Sequence, residues 1–276
     1  MKHPYLKIAE KGNIHAGNDK YKKLVIHTFV RVLRVIFFSK AFFHLCKGIY
    51  YSIRKKELEK QKEFLDGSCF WGVLTQQKTK AEVKFLNDII VPEKGHLIFL
   101  NHVNELDFPF DCLVLKKPFL ANQEIKNTYI AYWWMKAMGS EVFDKSDKRT
   151  IAKSVKNLLK SLKNRSFVVY PEGKVTYSED IKSLKKGMIN LSFKLKIPIL
   201  IILKSGLTGY QEKPNNHTIA YKSCGVIKPD SFSSWEEYRD HIFQLMDSEK
   251  RKLDEEIGIR QKTEKQEDTK AKVLFT

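Results

Sequence analysis

The sequence predicts an α/β protein: a layered sheet flanked by helices, preceded by N-terminal helices at a membrane interface. Three observations carry that expectation. From residue 81 to residue 226, short apolar runs alternate with stretches of helical period. The chain is 276 residues long and 42% hydrophobic, enough to bury a substantial core. Its first quarter joins the most apolar segment to a large excess of positive charge. The expected organisation is a basic amphipathic helical segment over 1–65, one α/β domain over 66–258 and a charged, mobile tail over 259–276.

The N-terminal segment comes first. Residues 24–50 read LVIHTFVRVLRVIFFSKAFFHLCKGIY. Arg31, Arg34 and Lys40 interrupt the apolar run, so a simple transmembrane span is not expected. His27, Arg31 and Arg34 share one stripe of a helix, and the rest of its surface is aliphatic or aromatic. Such a helix lies in the headgroup region, with apolar bulk below and cations toward anionic lipid. A core helix with a solvated edge and a tilted or re-entrant hairpin are the other readings of the same pattern.

Charge supports the membrane reading. Fifty basic residues against 32 acidic give +18, and residues 1–65 hold fifteen against five. More than half the excess therefore surrounds the apolar helix, which favours an anionic lipid surface over nucleic acid. No finger, helix-turn-helix or RNP-like pattern points to nucleic acid. No secretory signal is read, and the four cysteines form no CxxC or metal spacing, so an intracellular setting on the cytoplasmic face of a membrane is expected.

Beyond residue 66 the expected strands are 81–86, 97–100, 118–121, 140–143, 166–170, 198–203 and 218–226. The expected helices are 109–116, 130–138, 147–163, 183–196 and 233–256. The last is read as an amphipathic surface helix capped by Ser233 or Ser234, without chemistry. The aromatic cluster YWWM at 132–135 is read as core, with the lining of an apolar channel as the other possibility.

The chemistry centres on LIFLNHVNELDFPFD, residues 97–111. Pro109 fits the first turn of a helix, so 101–108 is expected to be a strand-to-helix loop at the carboxyl edge of the sheet, where α/β proteins bind ligands. His102 would sit on that loop. A neutral imidazole there can take a proton from a hydroxyl, and Asp107 can hold its far nitrogen. With no Gly-x-Ser-x-Gly elbow in the chain, the hydroxyl would belong to a substrate. A loop histidine beside an N-capping aspartate is the bland alternative.

Four blocks in order resemble the glycerolipid acyltransferase superfamily, the lysophosphatidic acid acyltransferases and their relatives. Asn101, His102 and Asp107 match Asn-His-x4-Asp. GSEVFDK supplies Gly139, Phe143 and Asp144 of the second block, with Lys145 in place of arginine. YPEGKV keeps Pro171, Glu172 and Gly173 of the third, and IPILII around Pro198 matches the fourth. Lys186-Gly187 is also typical, and the resemblance spans roughly 80–205.

The resemblance implies an acyltransferase domain over 66–258. It implies that His102 is the general base for the acceptor hydroxyl and Asp107 its orienting partner. Asn101, Lys145, Glu172, Gly173 and Lys174 are expected to bind substrate. The donor would be acyl-CoA or acyl-carrier protein, the acceptor a lysophospholipid, and transfer direct, with no cofactor, metal or acyl-enzyme. Lys174 and Val175 replace the third block's threonine and arginine. A lysine is a point cation that cannot form arginine's planar fork on a phosphate monoester. The departures favour a phosphodiester lysophospholipid or another lipid alcohol as acceptor. They also leave open a catalytically inactive, lipid-binding relative.

Overall fold

The computed structural model describes residues 40–143, 148–208 and 218–259. Residues 24–39 of the N-terminal amphipathic helix, and all of the tail but Ile259, lie outside that range. The chain forms two compact units from interleaved segments. Among the described residues the first takes 40–79, 105–143 and 148–157, and the second takes 80–104, 158–208 and 218–259.

The second unit is built on a five-stranded sheet. Its strands are β1 (Glu82–Phe85), β2 (Leu97–Phe99), β5 (Phe167–Val169), β6 (Ile199–Ser205) and β7 (Thr218–Ile227), in the order β1-β7-β6-β2-β5. β2 lies parallel between β5 and β6, with Leu97 in register with both Phe167 and Ile199. β7 runs antiparallel to β6 and parallel to β1. All of β2, β5 and β6 is buried, which is why these strands read as unbroken apolar runs instead of alternating ones. Lys204 and Ser205 break that rule, since both are polar and fully buried.

Helix α6 (Lys186–Leu195) and helix α7 (Trp235–Glu256) pack in this unit, α7 against β6, β7 and α6. Ser234 caps α7, its hydroxyl accepting from the Glu237 N–H while Glu237 accepts from the Ser233 N–H. Tyr238, Ile242, Met246 and Lys250 recur every fourth residue on its buried face. The helix expected as an amphipathic surface element packs one face on the central strand and keeps the other exposed.

The first unit contains α1 (Lys40–Ile53), α2 (Glu57–Thr79), α3 (Asp107–Leu115) and α4 (Tyr129–Ala137). A two-stranded parallel sheet joins β3 (Leu120–Asn122) to β4 (Glu141–Phe143). α5 (Lys148–Leu162) runs from this unit into the second, where Leu158 and Leu162 are buried. α2 is continuous through residue 66, so the domain line expected there falls inside a helix. Its two central glycines have a packing reason. A Cβ on Gly72 would stand 2.3 Å from the Pro109 carbonyl oxygen, and Gly67 faces the Trp134 ring. Phe64 meets Trp133 and Trp134 edge-on, and the Trp134 indole N–H donates to Ser68 at 2.8 Å. Of the cluster expected in the core only Met135 is buried; Tyr132 and Trp134 are half-buried and Trp133 is exposed. Among the described residues no helix is long and apolar enough to cross a membrane.

Candidate active site

Three parallel strands of the second unit, β5, β2 and β6, end on one edge of the sheet, and the Asn-His pair follows the middle one. The strand register continues one step past β2, where the Leu100 N–H donates to the Val169 carbonyl at 3.0 Å. Asn101 then takes over the ladder with its side chain. Its amide donates to the Lys204 carbonyl and its oxygen accepts from the Lys204 N–H, both at 2.9 Å. Asn101 is buried and spends both polar ends on β6. It is a rivet between strands.

His102 is half-buried and held on every backbone atom that can be held. Its N–H donates to Glu172 Oε1 at 3.2 Å. Its carbonyl accepts from the Thr176 N–H at 3.0 Å and the Thr176 hydroxyl at 2.7 Å. Its ring stacks on Tyr170, with centroids 4.0 Å apart and planes 13° from parallel. The Lys204 ammonium lies 5.0 Å from the centroid of the same tyrosine ring. One residue on, the Val103 carbonyl accepts from the Tyr177 N–H, and the Asn104 amide donates to the Leu207 carbonyl. The imidazole is thereby presented on a backbone that has little freedom left.

Glu172 comes from the turn after β5. Gly173 closes that turn by donating to the Tyr170 carbonyl at 3.0 Å, with a φ of +68° that favours glycine. Glu172 is only 4% exposed and turns inward. Burial pushes its carboxyl up to about 7; its own N–H, the His102 N–H and the charges of His102 and Lys204 pull the other way and do not restore it. Its Oε2 has no hydrogen-bond partner. Glu172, expected at the headgroup site, buttresses the peptide of His102 with one of its oxygens.

Lys174 follows in the same turn and is exposed. Lys145 lies outside the described residues. Asp107 is fully buried and is the first residue of α3, so the loop is two residues shorter than expected and Leu106, not Asp107, holds the cap position. A carboxylate in the first turn of a helix is favoured by the exposed N–H groups there. The structure therefore brings together Asn101, His102, Glu172 and Gly173 within the second unit, while Asp107 belongs to the first.

Tyr170, Thr176, Asn104 and Lys204 complete the surroundings of His102 and were not singled out by the sequence. Only Lys204 left a mark there, as a charge closing the apolar run PILIIL. The one group of metal-ligating side chains among the described residues is His44, Glu63 and Asp66 in the first unit. Its carboxylates are already engaged: Glu63 takes His44 at 2.8 Å and Lys47 at 2.5 Å, and Asp66 takes Lys62 at 2.6 Å. Two of the four thiols are poor nucleophiles, since burial pushes Cys69 up to about 11 and Cys112 well above its ordinary value.

Comparison with known proteins agrees with these blocks. Residues 82–203 match the family model described as Acyltransferase. Over 171 residues the chain is 26% identical to a probable 1-acyl-sn-glycerol-3-phosphate acyltransferase of Mycoplasma genitalium, covering 55% of this chain. The chain spans 63% of that relative's length. Its fold is similar to the crystal structure of the 1-acyl-sn-glycerophosphate (LPA) acyltransferase PlsC of Thermotoga maritima. The TM-score is 0.64 at 17% identity, over 85% of this chain and 97% of that one.

Proposed function

We propose, from the premise that residues 82–203 are an acyltransferase-family segment, that this protein moves a fatty acyl group from a thioester to a lysophospholipid hydroxyl at a membrane surface. The donor is acyl-CoA or acyl-carrier protein. His102 takes the proton of the acceptor hydroxyl as that oxygen attacks the thioester carbonyl. The tetrahedral oxyanion collapses, the C–S bond breaks, and the departing thiolate receives the proton from the imidazolium. A thioester is already activated, so positioning and one proton transfer suffice. Asp107 is assigned the orienting role by its place in Asn-His-x4-Asp. Lys174, with Lys145, supplies cations for the headgroup.

The observation that carries this reading is His102 itself: an imidazole stacked on Tyr170 whose peptide N–H is bound by the buried Glu172 of the third block. The exposed apolar side chains of the first unit support a lipid surface as the place of work. Phe43, Ile49, Tyr50 and Ile53 on α1 and Tyr129, Ile130 and Trp133 on α4 all face solvent. A groove of about 480 Å³ in that unit is lined by Ile49, Ile53, Phe64 and Trp133, with Lys60 and Lys136 among its walls.

The test uses the purified full chain in anionic vesicles with acyl-CoA, then acyl-carrier protein, against a panel of lysophospholipids, read by mass spectrometry. A diacyl product is expected, with phosphodiester acceptors preferred over the phosphate monoester. No product from either donor on any acceptor would contradict the proposal.

A further inference from the structure

The second unit holds a buried ionic cluster that the acyl-transfer step does not use. Glu179 Oε1 accepts three consecutive backbone N–H groups, Gly206 at 3.1 Å and Leu207 and Thr208 at 3.0 Å, and the Thr208 hydroxyl at 3.0 Å. Its other oxygen takes the Lys250 ammonium of α7 at 2.8 Å. Lys250 also binds Asp254, which in turn takes the Ser205 hydroxyl. Lys250 and Asp254 are each 1% exposed, so these charges are kept out of water. Burial alone would raise the Glu179 carboxyl, but Lys250 and the Thr208 donors outweigh it and hold it below its ordinary value.

The geometry explains why an anion is needed there. The chain turns sharply at Gly206, with φ of +105°, and a Cβ at that position would lie 2.1 Å from the Thr218 carbonyl oxygen. The turn points successive N–H groups at one spot, a nest that attracts a negative group. Here the chain's own carboxylate fills the nest. What the nest steadies is the strip that holds the Asn-His segment. Lys204 takes Asn101 by both backbone groups, and Leu207 takes the Asn104 amide. Glu179 also ends the stretch whose Thr176 and Tyr177 bind the backbone of His102 and Val103.

We infer that Glu179 and Lys250 are positioning residues for acyl transfer, locking 204–208 and through it the 101–104 segment that presents His102. The inference rests on His102 being the base. It extends the machinery beyond the matched stretch 82–203, since Lys250 and Asp254 belong to α7. Displacing such a loop by about 1 Å misplaces the imidazole and costs on the order of 100-fold in rate.

The experiment compares wild type, Glu179→Ala and Glu179→Gln in the full chain. The readouts are kcat and KM for acyl transfer, and amide hydrogen exchange over 101–104 and 204–208. Glu179→Ala should lower kcat by roughly 30- to 100-fold with KM within about threefold, and both segments should lose protection together. Glu179→Gln, whose amide oxygen still accepts, should recover most of the rate. A folded Glu179→Ala with near-normal kcat overturns the inference. Should that variant fail to fold, the paired change Glu179→Met with Lys250→Met, which removes the acceptor together with its cation, takes its place. The inference requires its kcat to fall, and an unchanged kcat overturns it. A wild type without transfer activity counts against the proposed function alone. Exchange then decides: protection at 101–104 must fall with that at 204–208, and its persistence overturns the linkage.

Discussion

Glu172→Gln is the substitution whose consequence follows most directly from the geometry. The carboxyl is 4% exposed, one oxygen accepts from His102, and the other has no hydrogen-bond partner. Burial raises its pKa from 4.5 to about 7. A carboxyl raised in the fold stabilises the protein while it is protonated, so its contribution is complete below about pH 4.5 and is lost as pH climbs through 7. At about 1.4 kcal/mol per pKa unit the full contribution is about 3.5 kcal/mol, nearly all of it lost by pH 8. Glutamine is neutral throughout and keeps the acceptor for the His102 N–H. Between pH 5 and pH 8 the variant should therefore gain about 2.5 kcal/mol on the wild type. Urea unfolding of both proteins at pH 5, 6, 7 and 8, in one detergent, reads this as a difference in which other titrations cancel. A difference that stays flat across that range would refute the reasoning, because it would mean the buried carboxyl ionises like an exposed one.

Other outcomes follow from single contacts. Asn101→Ala strips partners from both backbone groups of buried Lys204 and should cost about 2–4 kcal/mol in chemical denaturation, with transfer reduced as well; an unshifted midpoint would count against the rivet. Gly72→Ala drives a methyl to 2.3 Å from the Pro109 carbonyl and should destabilise by about 1–3 kcal/mol, where a neutral or stabilising result would mean α2 and α3 do not meet there. Lys174→Ala, at an exposed cation, should raise KM for an anionic acceptor several-fold, most at low salt, with kcat unchanged. A kcat effect without a KM effect would remove Lys174 from headgroup binding.

Legibility differed from element to element for physical reasons. β6 was readable because a strand buried on both faces must be a run such as PILIIL, and all the strands expected from residue 81 onward are found within a few residues. α2 was not readable. Its sequence ELEKQKEFLDGSCFWGVLTQQKT has no apolar stripe and two central glycines, whose value lies in letting other elements approach. At the site, His102 and Glu172 announced themselves as short blocks, yet what Glu172 does could not be read, since its partner stands 70 residues away in sequence. The Glu179–Lys250 pair spans 71 residues and was equally silent. One local signal did exist: continuing the every-fourth-residue stripe of Tyr238, Ile242 and Met246 lands on Lys250 and Asp254. Two charges on the buried face of a helix imply a buried partner.

The central claim is that His102 removes the proton of a lipid hydroxyl. The most direct measurement is the initial rate of acyl transfer by wild type and His102→Ala on the same vesicles, with vesicle binding and unfolding midpoints recorded for both. A loss on the order of 10²- to 10⁴-fold is expected with binding and folding intact, the size of a lost general base. A His102→Ala protein that binds, folds and transfers at the wild-type rate would contradict it.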